Sequence, residues 1–169
     1  EGEQAMVLGM SIETFTFVHV VISMVGIMTG FIVVAVMLQN GPIAGWNGFF
    51  LTTTILTSVT GFFFPVKGLL PSHIVGIISL VVLAVALFAY YGRRLVGPWR
   101  AVYVVSAVIA LWLNVFVGIV QSFGKFAYLH NLAPNGSEPP FAVAQGLVLI
   151  LFVVAGFLAV RRYHPPLST

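Results

Sequence analysis

The stretch Tyr90-Tyr91-Gly92-Arg93-Arg94-Leu95-Val96-Gly97-Pro98-Trp99-Arg100 holds three of the chain's five arginines; the other two are Arg161 and Arg162. On either side of it run segments without a single charged residue, Gly68 to Gly92 and Ala101 to Gly124. Further out lie two more, Thr14 to Val66 and Pro139 to Val160. Each is long enough for one or more hydrocarbon crossings of about 20 residues. Arginines confined to the flanks of apolar spans are the mark of cytoplasmic loops, so this stretch identifies a membrane protein and orients it.

Composition agrees. Charged residues make up 7% of the 169 positions and apolar residues 60%, against roughly 25% charge in a soluble domain. No water-facing shell can be built from that. The net charge of +3 is accounted for by arginines at span ends, which argues for no nucleic acid as a partner and for the lipid bilayer instead. With no cysteine in the chain, disulfides, thiolate zinc sites, iron–sulfur ligation and c-type haem attachment are excluded. The start, Glu1-Gly2-Glu3-Gln4, lacks the basic region of a signal peptide. The first apolar segment is therefore expected to be a retained transmembrane helix.

The pattern predicts an all-α fold, an integral membrane bundle of five transmembrane helices in a single domain spanning residues 1–169. The helices are expected at about 12–38, 47–64, 72–91, 98–124 and 140–162. Gln39-Asn40-Gly41-Pro42 ends the first and Pro65 the second, because proline cannot continue a helix. Ser72 is placed to cap the third, and Pro139 and Pro140 suit the first turn of the fifth. An alternative makes the second, threonine-rich segment re-entrant, leaving four crossings and an internal N-terminus. With five, and the arginines cytoplasmic, the N-terminus lies outside and the C-terminus in the cytoplasm of a bacterial cell, the chain sitting in the inner membrane. Lys67, Lys125 and all four glutamates then fall on the outer side.

Polar groups inside a membrane are costly, so their positions carry the functional evidence. Thr16, His19, Ser23, Gly26 and Gly30 recur at spacings of three and four, one polar-to-small stripe expected to face protein, with Gly26-xxx-Gly30 as a close-packing pair. Asn114, Gly118, Gln121 and Lys125 repeat that spacing on the fourth helix. His19, His73, Gln121 and Gln145 all lie at a similar outer depth, bordered by Glu13, Lys67, Lys125 and His130. The expectation is one outer-side polar pocket, roofed by the segment from Gly124 to Pro140, with His19, His73, Gln121 and Gln145 as its binding residues. Two imidazoles at a common depth suit a b-type haem; with Glu13 as an oxygen ligand, His19 and His73 suit a divalent metal; beside Gln121 or Lys125 they suit a quinone carbonyl. Threonines and serines in such helices ordinarily bond the preceding turn, and the helix-two threonines are read that way.

A histidine in the first helix, Thr60-Gly61 closing the second and a histidine opening the third together resemble small bacterial polytopic membrane proteins of unassigned function, among them candidates for b-type haem binding. The resemblance covers about Phe15 to Phe126 and implies His19 and His73 as paired site residues. A redox-associated protein binding haem, metal or quinone is the function expected, whether or not it is an enzyme. The alternative is a non-catalytic accessory subunit packed against other membrane subunits or its own copies.

Overall fold

The computed structural model describes residues 6–65 and 71–165. Lys67 and the acidic residues at positions 1 and 3 lie outside the described residues. A two-residue hairpin, β1 (Met6–Val7) and β2 (Met10–Ser11), leads into helix α1 (Ile12–Leu38), followed by α2 (Ala44–Gly61) and α3 (Pro71–Leu87). A π-helical turn at Phe88–Gly92 closes α3, and α4 (Trp99–Lys125), α5 (Ala127–Leu132) and α6 (Pro139–Arg162) complete the chain.

The fold is all-α apart from the hairpin. Four segments are long and apolar enough to cross a membrane: Ile12–Leu38, Pro71–Gly92, Trp99–Lys125 and Pro139–Arg162. The second expected crossing falls short on composition, for α2 is 18 residues long and carries Asn47 and five threonines. It also begins three residues earlier than the sequence reading placed it and ends at Gly61, before Phe62-Phe63-Phe64. Pro65 disfavours helical backbone at the residue before it, so the helix unwinds ahead of the proline rather than at it. Asn40 adopts a left-handed φ of 56°, and the Gly41 amide donates to the Val36 carbonyl at 2.9 Å, a C-terminal cap that stops α1 and turns the chain into α2. The short helix α5, inside the Gly124 to Pro140 segment expected to roof the pocket, follows a break at Phe126, whose backbone is extended.

Contacts fix the directions. His19 of α1 meets Thr60 of α2, while Gly30 meets Phe50, so α1 and α2 are antiparallel. Ser58 of α2 meets Ser79 of α3, Gly30 of α1 meets Leu111 of α4, and Gln145 and Arg100 tie α6 and α4 at opposite ends. The result is an up-and-down bundle of α1 to α4, with α6 lying along α1 and α4. The start of α1 and the end of α6 lie at opposite ends of it.

The apolar core occupies one half. Val33, Met37, Ile43, Phe50, Leu51, Leu83, Ala86, Tyr103, Val104, Leu111 and Ala159 are buried together there. Gly30 makes that packing possible, since a Cβ on it would come 2.5 Å from Leu111 Cδ1 and 2.9 Å from Phe50 Cε2. In lipid, where apolar helices gain little from meeting each other, such close approach is what holds them together. We call this the arginine end, because Arg93, Arg94, Arg100, Arg161 and Arg162 cluster around it.

Candidate functional site

The opposite half contains a cavity of about 450 Å³. It lies where small side chains face one another: Thr16 on α1, Thr57 and Ser58 on α2, Gly76 and Ser79 on α3. The hydroxyls among them are satisfied locally. Thr16 donates to Ile12 O at 2.7 Å, Thr57 to Thr53 O at 2.9 Å and Ser58 to Thr54 O at 3.0 Å, which is how a membrane helix carries a hydroxyl at low cost. Ser58 Oγ also lies 3.1 Å from Ser79 Oγ, within hydrogen-bonding distance, and so joins α2 to α3 along the wall. Phe62 and Phe64 from the turn after α2, with Val20, Leu113 and Val117, supply the apolar surface.

His19, His73 and Gln121 all line this cavity, and so does Lys125. His19, half-buried on α1, places Nδ1 2.7 Å from Thr60 Oγ1 and its ring edge-on to Phe64, centroids 5.1 Å apart. The single proton of Thr60 is committed to Leu56 O at 2.6 Å. Nδ1 of His19 is therefore the donor to Thr60, and in the neutral ring Nε2 keeps a free lone pair. His73 stacks on Phe62 with centroids 5.5 Å apart and planes 20° from parallel. That ring sits against α3 because position 76 is glycine: a Cβ there would meet Phe62 Cζ at 3.0 Å.

Gln121 and Lys125 lie on the last turns of α4 and are exposed at the cavity's mouth, while Asn114 lies two turns deeper, about 10 Å along the axis. Asn114 is 8% exposed, and its amide nitrogen has no hydrogen-bond partner among the described residues. Gly26 leaves it room, since a Cβ there would sit 3.2 Å from Asn114 Nδ2 and 3.3 Å from the hydroxyls of Thr53 and Thr54. An unpaired buried amide costs on the order of 1–3 kcal/mol.

Two of the residues expected at the site are elsewhere. Gln145 sits on α6, outside the four-helix ring, and its Nε2 donates to Phe116 O at 3.2 Å across the α4–α6 seam. Depth along a helix placed it correctly; the direction it faces did not follow from depth. Glu13 is exposed in the first turn of α1 and does not line the cavity. Among the described residues no three of His, Asp and Glu come together, so the oxygen-and-imidazole set imagined for a divalent metal is not assembled. His130, on α5, is also outside the cavity lining.

No protein-family model, curated protein or solved structure matches the chain, and the functional reading rests on this geometry.

Proposed function

We propose that the chain is a five-crossing membrane protein whose cavity binds the ring of a lipophilic quinone or quinol, as part of a redox-associated membrane system. The unpaired Asn114 amide at the floor of the cavity carries the reading. Opposite it, at the mouth, Gln121 and Lys125 offer further donors about 10–16 Å away along α4. A ring with an oxygen at each end fits between donors at two depths, and the apolar wall of Phe62, Phe64, Leu113 and Val117 suits its faces. His19 adds the complementary acceptor: its free Nε2 can take the hydrogen bond of a quinol hydroxyl, while Thr60 fixes the ring. Among the described residues no carboxylate lines the space, so none of them repels an electron-rich oxygen.

Support for the fifth crossing is that α2 runs antiparallel between α1 and α3 from one end of the bundle to the other. Thr53, Thr57 and Thr60 bond carbonyls of the preceding turn, which is how a helix in lipid satisfies its hydroxyls. The arginine asymmetry supports cytoplasmic placement of the arginine end in the inner membrane. Impermeant thiol labelling of intact cells should modify Ser137→Cys and spare Ser168→Cys; the reverse pattern overturns the orientation.

For the site, thermal unfolding of the purified protein in detergent is followed with short-chain benzoquinone and naphthoquinone analogues. The melting temperature should rise with analogue concentration in wild type and stay flat in Asn114→Leu. A haem band in the optical spectrum, lost in His19→Ala, would replace the quinone by a b-type haem held through His19 Nε2. No response to either class would leave the accessory-subunit reading as the better one.

A further inference from the structure

At the other end of the bundle a second hollow of about 780 Å³ opens beside the turn between α1 and α2. It is lined by Arg94, Asn40 and the tyrosines 90, 91 and 163. From these residues we infer a binding site for a phosphate-bearing anion, the head group of an acidic phospholipid being the source that a membrane protein meets first.

The arginines around it are not equivalent. Arg100 is spent on structure, its Nη1 donating to Val160 O at 2.7 Å and to Tyr163 O at 2.6 Å. Arg93 lies over the Trp99 ring at 5.2 Å and Arg161 over the Phe157 ring at 5.3 Å. Arg94 has no partner among the described residues and is the arginine that lines the hollow. Its backbone is left-handed, with φ 48°, and Leu95 follows at 59°, an arrangement that non-glycine residues adopt only when the surroundings hold them there. The Leu95 amide is held by Ala89 O at 3.1 Å.

The remaining groups are donors as well. Asn40 accepts through Oδ1 from the His164 amide at 2.7 Å, which leaves its NH₂ for a ligand. Tyr91, which is exposed, can donate its phenol proton to a phosphate oxygen, while the buried Tyr163 shapes the wall. The two described acidic side chains, Glu13 and Glu138, are both at the far end of the bundle, so no described carboxylate competes for Arg94. A guanidinium fork with hydroxyl and amide donors around it is the chemistry that recognises phosphate, and basic pockets at the ends of transmembrane helices are where acidic head groups dock.

The test must separate a site from diffuse attraction to five positive charges. Thermal unfolding and native mass spectrometry are run on the whole chain with short-chain phosphatidylglycerol, phosphatidylcholine and inorganic phosphate. Phosphatidylglycerol should bind and raise the melting temperature, phosphatidylcholine should not, and Arg94→Gln should weaken phosphatidylglycerol about tenfold. Arg162→Gln removes the same charge outside the hollow and should change affinity less than about twofold. Arg94→Lys keeps the charge but loses the fork, and should fall between them. If inorganic phosphate reproduces the shift and Arg94→Gln removes it, the site holds the phosphate group and its ligand is the free anion. Equal losses in Arg94→Gln and Arg162→Gln, or an equal response to phosphatidylcholine, overturn the proposal.

Discussion

The two halves of this bundle are made from the same helices and nearly the same apolar alphabet, yet one packs large side chains between its helices, with a hollow only beside the α1–α2 turn, and the other leaves a cavity between them lined by small ones. At the arginine end Tyr103 donates to Asn47 at 2.5 Å, Phe50, Leu51, Leu83 and Leu111 fill the interior, and Arg100 ties the end of α6 to α4. At the histidine end the facing positions are threonine, serine and glycine, and Asn114 is left without a partner among the described residues. Packing density is thus set locally by side-chain volume where helices meet. Bundle architecture does not impose it. A ligand site in such a protein is a place where large residues have been withheld from an inward face.

Substitution at glycine sharpens this most strongly. Gly30→Leu pushes a branched side chain into a space where even a Cβ lies 2.5 Å from Leu111 Cδ1, and overpacking of that kind costs about 3 kcal/mol. Gly61→Ala borders the cavity, where the nearest atom, His19 Cε1, is 3.9 Å away, and should be nearly neutral. Unfolding in detergent measures both. Comparable losses would mean that the two halves are packed alike.

Polar deletion gives the next contrast, and here the two ends should respond with opposite signs. Tyr103→Phe removes the partner of Asn47, which is fully buried, and should destabilise by about 2 kcal/mol. Asn114→Leu removes a donor that has no described partner, so stability should hold or rise by about 1 kcal/mol. A loss like that of Tyr103→Phe would show that Asn114 is paired within the folded chain, and the argument for a ligand at the cavity floor would fail.

Much of this was legible in the sequence. The end of α1 follows from Asn40-Gly41-Pro42 and the start of α6 from Pro139, whereas α2 stops at Gly61, short of Pro65; the boundaries of α1, α4 and α6 follow because charge and hydropathy change abruptly there. The stripe of Thr16, His19, Gly26 and Gly30 faces protein, as its spacing requires. What the sequence lacks is azimuth between helices. His19, His73 and Gln121 share a depth and line one space; Gln145 shares that depth and sits on the far side of α4. Helix α5 was missed because six residues, Ala127–Leu132, are too few to show a period. The hollow beside Arg94 depends on left-handed turns at Arg94 and Leu95, which no propensity assigns to arginine or leucine.

The smallest expected effects are in pH, and they too differ between the ends. Burial, with Tyr90 nearby, pushes the Tyr163 hydroxyl up to about 12. The fold favours its neutral form, so that contribution is whole below pH 10 and is lost as pH rises from 10 toward 12. At the other end desolvation raises the Glu138 carboxyl, but several hydrogen bonds together outweigh it and hold the group below its ordinary 4.5. They come from the Asn135 amide at 3.0 Å, the Asn135 side chain at 2.8 Å and the Ser137 amide at 3.0 Å. That contribution is present above pH 4.5 and disappears as pH falls through the lowered value. Limited proteolysis across pH should therefore open the segment before α6 first in acid and the C-terminal end of α6 first in alkali. Glu138→Gln should make the acid change vanish while leaving the alkaline one in place. If acid opens both ends together in wild type and in Glu138→Gln, the two halves unfold as one unit and their difference is confined to packing.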